Sequence, residues 1–173
     1  MNKKIICLIL SIFCFFTFLS AENQVKYPKS AFGFEIYQGL NSGVIGLTYQ
    51  EWFDNNWGFQ GTAGAIKDDA FLYSIELQLQ RLFKVDQYNN RISTALFGWT
   101  SAALVSVQSE NYNDETEVYE ITTSPGLLLG VGFGIEMTFF EHISVPFRFG
   151  INGQLLSNPG MNIGFGVGIL YRF

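Results

Sequence analysis

The sequence predicts an all-β protein, an eight-stranded antiparallel up-and-down transmembrane β-barrel. Three observations predict this fold. Of the 173 residues, 48% are hydrophobic and only 14% are charged, whereas an ordinary soluble domain carries about 25% charged residues. After residue 21, apolar residues recur with a period of two, which is the period of a β-strand. The first 21 residues have the plan of an export signal.

Residues 1–21 are predicted to be a cleaved signal peptide. Lys3 and Lys4 provide a positive start, and an apolar run from Ile5 to Leu19 leads to two small residues suited to cleavage. The run has about 15 residues, fewer than the roughly 20 that a spanning helix needs. The alternative interpretation is an uncleaved N-terminal anchor.

Cleavage would leave a periplasmic lead at 22–29 and a barrel at 30–173. Both cysteines, Cys7 and Cys14, leave with the signal, so the mature chain has no disulfide, thiolate nucleophile or cysteine-bound metal. Without the two lysines of the signal, 8 basic residues face 15 acidic ones, a net charge of −7. This charge excludes nucleic-acid binding driven by phosphate neutralisation. We expect no cofactor.

The alternation is clearest at the end of the chain, in residues 161–173. Every second residue there is bulky and apolar, and three of the six residues between them are glycine. The alternation of a bulky apolar face with a small or polar face recurs in 127–139, 145–152 and 71–80. In a soluble barrel the second face would meet water and carry charge. We therefore predict that the bulky face contacts lipid and the small face lines a narrow lumen.

Turn-forming residues divide the chain into eight strands, an even number as in bacterial outer-membrane barrels. The predicted strands are 30–40, 44–53, 57–66, 70–85, 91–105, 125–139, 143–153 and 161–173. The breaks are Asn41-Ser42-Gly43, Asp54-Asn55-Asn56, the run from Asp86 to Asn90, Glu141-His142 and Asn158-Pro159-Gly160. The register of the fifth strand stays open, because Phe97 and Trp99 lie on one face and Ile92 and Leu96 on the other.

The end of the chain and two turns carry a resemblance to a known family. The chain finishes on Tyr171-Arg172-Phe173, and the stretches WFDNNWGF and FFEHISVPF place aromatic residues around tight polar turns. Over residues 30–173 it resembles the small bacterial outer-membrane proteins of the OmpA-barrel, OmpX and OmpW type. The resemblance implies the outer membrane of a diderm bacterium, termini in the periplasm, and Tyr171 and Phe173 as a signal read by the barrel-insertion machinery. We expect a monomer surrounded by outer-membrane lipid.

The longest predicted break, residues 106–124, would be an external loop in this topology. It carries five acidic residues and no basic one: Glu110, Asp114, Glu115, Glu117 and Glu120. The simpler interpretation is a solvated, repulsive loop. A functional loop would bind a divalent cation or an extracellular partner, although Thr116 stands where a calcium loop has glycine.

Charged residues at lumen-facing positions form the main candidate site. They are Glu35, Glu76, Glu136, Arg148 and Arg172. Glu136 and Arg148 flank one turn at similar distances, so we predict that they are cross-strand neighbours. Such a pair is either a static plug in a filled interior or a gate that opens for ions.

His142 and Ser144 resemble the His-x-Ser pair of lipid A deacylases, in which histidine activates the serine. Residues 145–147 do not match the Asn-Ala-Gly of that family, and no acidic residue follows Glu141. We therefore interpret His142 as a turn residue and expect no enzyme.

Two charged residues, Glu51 and Arg81, fall on the lipid-facing alternation near the inner turns, where their side chains can reach lipid headgroups. For the whole protein we predict a structural or surface-loop interaction role. The alternative is a narrow channel or lateral conduit for small solutes, hydrophobic ones included. A lipid A-modifying enzyme is a disfavoured third.

Overall fold

The computed structural model describes residues 30–40, 42–53, 56–67, 71–89, 91–113, 118–155 and 160–173. Its strands are β1 (Ser30–Leu40), β2 (Ser42–Trp52), β3 (Trp57–Lys67), β4 (Phe71–Asn89), β5 (Ile92–Asn113), β6 (Val118–Phe139), β7 (Ile143–Gln154) and β8 (Gly160–Arg172). They form one closed antiparallel barrel in sequence order, which confirms the predicted fold class. The predicted signal peptide and lead, residues 1–29, lie outside the described residues. In the described ranges no helix is long and apolar enough to cross a membrane.

The alternation of side chains places bulky apolar residues on the outside of the barrel. In β8, Phe165 and Ile169 are exposed, whereas Gly166 and Gly168 between them are buried in the wall. Because side chains on a strand point alternately to its two faces, this pattern turns large hydrophobic residues outward along the strands. The exterior is therefore apolar, the reverse of a water-soluble protein.

The register of β5, which the sequence left open, is resolved by its pairing with β4. Phe97 and Trp99 face the lumen, and Leu96 faces outward. The pairing shifts between Leu82 and Lys84 of β4, where a bulge adds one residue to that strand. The bulge changes the alternation of β4, whereas β5 alternates regularly, with Ala95, Phe97 and Trp99 inward and Leu96 and Leu104 outward. The sequence left the register open because bulky apolar residues occupy both faces of β5.

The prediction of a loop over 106–124 is wrong, because β5 and β6 continue to pair up to Asn113 and Val118. Residues 118–123 are mainly β-branched or aromatic, which favours strand. The pairing of β5 with β4 ends at Gln108, and that of β6 with β7 ends at Leu128. We call the two-stranded part beyond Gln108, residues 109–113 and 118–122, the extended hairpin.

The predicted break over residues 86–90 is also wrong. The β4 strand continues to pair with β5 down to Asn89 and Ile92. The side chain of Asn89 accepts hydrogen bonds from the backbone N–H groups of Arg91 (2.8 Å) and Ile92 (2.9 Å), so one asparagine closes a much tighter turn. The predicted turn between β6 and β7 is confirmed, with Phe140 and Glu141 in the left-handed region at φ 52° and 66°.

Candidate functional site

The middle of the lumen is lined by buried charged and amide side chains. Every strand except β5 contributes at least one of them from an inward-facing position. They are Glu35, Gln50, Gln60, Glu76, Gln78, Gln80, Glu136, Arg148 and Arg172. All five charged residues that the sequence placed in the lumen are in this set. The alternation of 71–80 already placed Gln78 and Gln80 on the lumen face, although they were not predicted as site residues. Gln50 and Gln60 were not predicted, and the same alternation of their strands could have indicated them.

The predicted pairing of Glu136 with Arg148 is wrong. The register places Glu136 opposite Pro146 and Arg148 opposite Gly134, so the two residues are not cross-strand partners. The Nε of Arg148 instead donates to Glu35, and Arg172 donates to Glu136. The lumen of an eight-stranded barrel is narrow enough for side chains to meet across it, so partners come from strands that are distant in the sheet.

Arg148 holds two carboxylates at once. Besides Glu35, its terminal nitrogens approach Oε2 of Glu76 at 3.4 and 3.5 Å. Two aromatic rings also face the guanidinium, with the carbon Cζ 4.9 Å from the ring centroid of Tyr37 and 5.7 Å from that of Trp99. Cations are attracted to ring faces at such distances. Arg148 is thus held from several directions.

The hydrogen bonds around Arg148 close into a ring across the lumen. In order, its members are Arg148, Glu35, Gln60, Gln80, Gln78 and Glu76, which returns to Arg148; we call these six residues the lumen ring. The donor–acceptor distances are 2.6 Å from Gln60 to Glu35, 2.9 Å from Gln80 to Gln60, 2.9 Å from Gln80 to Gln78 and 3.1 Å from Gln78 to Glu76. The ring joins strands β1, β3, β4 and β7, so it ties together opposite parts of the wall.

Gln50 links the lumen ring to the second ion pair. Its Nε2 donates to Gln80 at 2.9 Å and to Glu136 at 3.4 Å, and its Oε1 accepts from Arg172. Buried charges are costly unless they are paired and hydrogen bonded. Here the two arginines and three glutamates have both kinds of partner.

Apolar clusters flank this polar layer. Toward the end of the barrel where β1 begins and β8 ends lies a cluster of Trp52, Leu82, Val85, Ala95, Phe97 and Trp99. Toward the opposite end lies a smaller cluster of Ala103, Val105 and Leu128. In the described part of the lumen, the polar layer therefore lies between two apolar clusters.

Glycines in β6 and β7 provide the space for Trp99. A Cβ atom on Gly150 would lie 2.5 Å from Cζ2 of the Trp99 ring, and one on Gly132 would lie 2.7 Å from it. A Cβ on Gly130 would lie 2.8 Å from Cζ3. These glycines therefore leave room for the inward-facing ring of Trp99, a role that the sequence alone did not reveal.

His142 and Ser144 do not form a hydrogen-bonded nucleophile–base pair. The Ser144 hydroxyl is buried in the lumen, where it contacts Thr138 at 2.7 Å and Arg172. The ring of His142 is exposed in the β6–β7 turn, with Nδ1 3.1 Å from the carbonyl oxygen of Arg172, and it stacks on Tyr171.

The remaining predicted residues lie at the two ends of the barrel. Tyr171 and Phe173 are exposed beside the chain end, and the N–H of Phe173 donates to the carbonyl of Ser30 at 3.0 Å. Glu110 and Glu120 lie on the paired backbone of the extended hairpin. The other three acidic residues of the predicted loop, Asp114, Glu115 and Glu117, lie outside the described residues.

The sequence matches no family model and no curated protein. Among solved structures, the N-terminal β-barrel domain of Pseudomonas aeruginosa OprF matches with a TM-score of 0.55 and 14% identity, covering 83% of this chain and 98% of that chain. Neisserial surface protein A has a TM-score of 0.44 and 13% identity, covering 85% and 96%. Ail of Yersinia pestis has a TM-score of 0.43 and 14% identity, covering 85% and 99%. The chain therefore has the eight-stranded barrel fold of small outer-membrane proteins.

Proposed function

We propose that the chain is an integral protein of the bacterial outer membrane with a sealed lumen. In this proposal it serves as a membrane-embedded scaffold that presents the extended hairpin at the cell surface. The observation that carries the proposal is the lumen ring, which crosses the interior through charged and amide contacts. Neither an enzyme nor a stable pore is needed to explain such an interior.

The location in a membrane is supported by the exterior of the barrel. Phe34, Ile75 and Phe149 are each about 60% exposed (61%, 60% and 62%) on three different strands. Contiguous apolar surface of this kind is unfavourable in water. In a bilayer it is favourable, and a closed barrel leaves no unpaired sheet edge in the hydrocarbon. The fold shared with OprF agrees with this location.

The sealed lumen is supported by the burial of the ionic groups. The side chains of Arg148 and Glu35 have no solvent-accessible surface, and in the proposed sealed lumen a solute would have to separate them. Removing one partner of a buried ion pair costs about 3–5 kcal/mol. The resting state is therefore a closed one.

The display role is supported by the extended hairpin. Its two strands pair with each other but with neither β4 nor β7, so it projects from one rim as a separate two-stranded unit. Two acidic residues, Glu110 and Glu120, lie on its paired backbone. We propose that its partner is an extracellular protein, that both chain termini lie in the periplasm, and that Tyr171 and Phe173 guide insertion.

Conductance measurement tests the sealed lumen. Residues 22–173 would be refolded into lipid vesicles, checked for the heat-dependent gel shift of a folded barrel, and fused to a planar bilayer. We expect no discrete current steps above the bare membrane. Long-lived steps from the folded protein would contradict the proposal.

A gated conduit is the second candidate, and one observation favours it. The contact of Arg148 with Glu76 is long, at 3.4 Å, and the Glu76 side chain is 10% exposed, whereas Glu35 is fully buried. Release of Glu76 alone would leave Arg148 still paired.

Two matched variants separate the gate from the plug. If Arg148 gates through Glu76, Glu76→Gln should produce brief current steps that Glu35→Gln does not. If the ring is a static plug, neither variant should conduct while the barrel stays folded.

A further inference from the structure

Four residues near one rim place aromatic and charged groups on the lipid-facing side of β2, β3 and β4. They are Tyr49, Glu51, Trp57 and Arg81, which we call the rim patch. All four occupy outward positions of the alternation, and each is exposed or partly exposed. The function proposed above makes no use of them.

The rim patch lies where the apolar exterior meets water. On β4, Arg81 follows the lipid-facing Leu79 and precedes an ion pair between Lys84 and Asp86 (2.7 Å), whose side chains are 63% and 44% exposed. Trp57 and Arg81 form the last pair of the β3–β4 ladder. Tryptophan and arginine at such a boundary reach the level of lipid headgroups.

The two charges of the rim patch are not paired with each other. The Tyr49 hydroxyl donates to Oε2 of Glu51 at 2.8 Å, and Glu51 forms no ion pair within the described ranges. The guanidinium of Arg81 lies over the Trp57 ring, 4.9 Å from its centroid. The strands β2 and β4 are two positions apart, about 10 Å, and the strand that bears Trp57 runs between them.

We propose that the rim patch binds the headgroup of a phosphoethanolamine phospholipid. The phosphate would accept hydrogen bonds from Arg81, whose planar guanidinium suits phosphate oxygens. The ammonium would donate to the carboxylate of Glu51, which Tyr49 orients. A zwitterion with separated charges matches a surface whose opposite charges are held apart. This inference rests on the proposed membrane location.

Other common headgroups fit the rim patch less well. A phosphoglycerol headgroup offers the phosphate but no cation for Glu51. A phosphocholine headgroup offers a cation whose nitrogen has no N–H to donate. The site therefore predicts a specific order of lipid preference rather than general attraction to lipid.

Native mass spectrometry tests the inference. The folded barrel would be equilibrated in detergent with equal amounts of phosphatidylethanolamine, phosphatidylcholine and phosphatidylglycerol bearing identical acyl chains, and the retained lipids counted. We expect about a threefold preference for phosphatidylethanolamine over either other lipid. Equal retention of the three lipids would overturn the proposal.

Charge-neutral variants test separately the predicted contact of Glu51 with the ammonium and that of Arg81 with the phosphate. Glu51→Gln should abolish the preference for phosphatidylethanolamine over phosphatidylglycerol, whereas Arg81→Gln should lower retention of all three lipids. Arg91→Gln and Glu141→Gln are the matched controls, since both residues are exposed in turns at the same end. If the control variants change lipid retention as much as the test variants do, the change comes from the net charge of the protein. That result would overturn the proposed site.

The failure of this site and of the proposed function give different results. A chain that stays folded in water without detergent overturns both. A folded, non-conducting barrel without lipid preference overturns the rim patch alone.

Discussion

The β2–β4 wall and the β6–β8 wall fill the same lumen in opposite ways. Strands β2 to β4 send long polar side chains inward, among them Gln50, Gln60 and Gln80. Strands β6 and β8 each carry a run of inward glycines and β7 adds Gly150, and backbone there approaches the rings of Trp99 and Tyr37.

This difference shows that the contents of the lumen depend on both walls. An eight-stranded barrel has an interior just wide enough for side chains to fill. Long side chains from one wall therefore require small residues on the other. The lumen ring supplies directional contacts, and the glycines supply the space in which these contacts form.

Removing Arg148 should produce the largest effect, because it strips the lumen ring of its cation. Arg148→Ala leaves Glu35 and Glu76 buried without their partner. We expect the free energy of unfolding to fall by about 3–5 kcal/mol. Urea unfolding in lipid vesicles, followed by tryptophan emission, measures the change.

Two controls show whether the loss comes from the buried charge. Lys84→Ala removes the cation of an exposed ion pair and should leave the unfolding midpoint unchanged. Adding Glu35→Gln to Arg148→Ala should recover part of the loss. If Glu35→Gln does not reduce the loss of unfolding free energy in Arg148→Ala, the loss comes from the packing of the arginine side chain instead.

The glycine wall should be the next most sensitive feature. A Cβ on Gly132 would lie 2.6 Å from the Cα of Gly150 and 2.7 Å from the Trp99 ring, so Gly132→Ala must displace backbone or ring. We expect a destabilisation of about 1–3 kcal/mol in the same unfolding assay.

Gly153→Ala is the matched control, since a Cβ there meets only a carbonyl oxygen at 4.0 Å. It should leave stability unchanged or raise it slightly, because alanine restricts the unfolded chain. Equal losses at Gly132 and Gly153 would show that the wall has no steric requirement for glycine.

The sequence predicted the barrel because alternation records which face meets lipid. It also predicted which charged residues face the lumen, since their inward positions follow from the same alternation. It could not predict their partners: Arg148 meets Glu35 and Glu76, from distant strands, through closure of the sheet. The ends of β5 and β6 were missed because the apolar alternation stops before Asn113 and Val118, while backbone pairing continues to them.

Breaking the lumen ring at an amide should have a smaller effect than removing its cation. Gln80 donates to Gln60 and Gln78 and accepts from Gln50. Gln80→Ala therefore leaves several buried polar atoms without a partner, at about 2 kcal/mol.

Thr48→Val serves as the comparison for Gln80, because the Thr48 hydroxyl bonds to a single hydroxyl, that of Thr62, at 3.0 Å. Its removal should cost about 1 kcal/mol. A Gln80 variant no more destabilised than Thr48→Val in the vesicle unfolding assay would mean that the ring does not act as a connected network.

Removing the extended hairpin should have the smallest effect on stability. Replacing residues 109–122 by Asn-Gly would join Gln108 to Thr123, which already face each other across the ladder. Asn-Gly favours the two-residue turn that such a connection needs. Because the removed residues pair with neither β4 nor β7, we expect the free energy of unfolding to change by no more than about 0.5 kcal/mol. A large loss would mean that the hairpin stabilises the barrel, and the two walls would then not account for its stability.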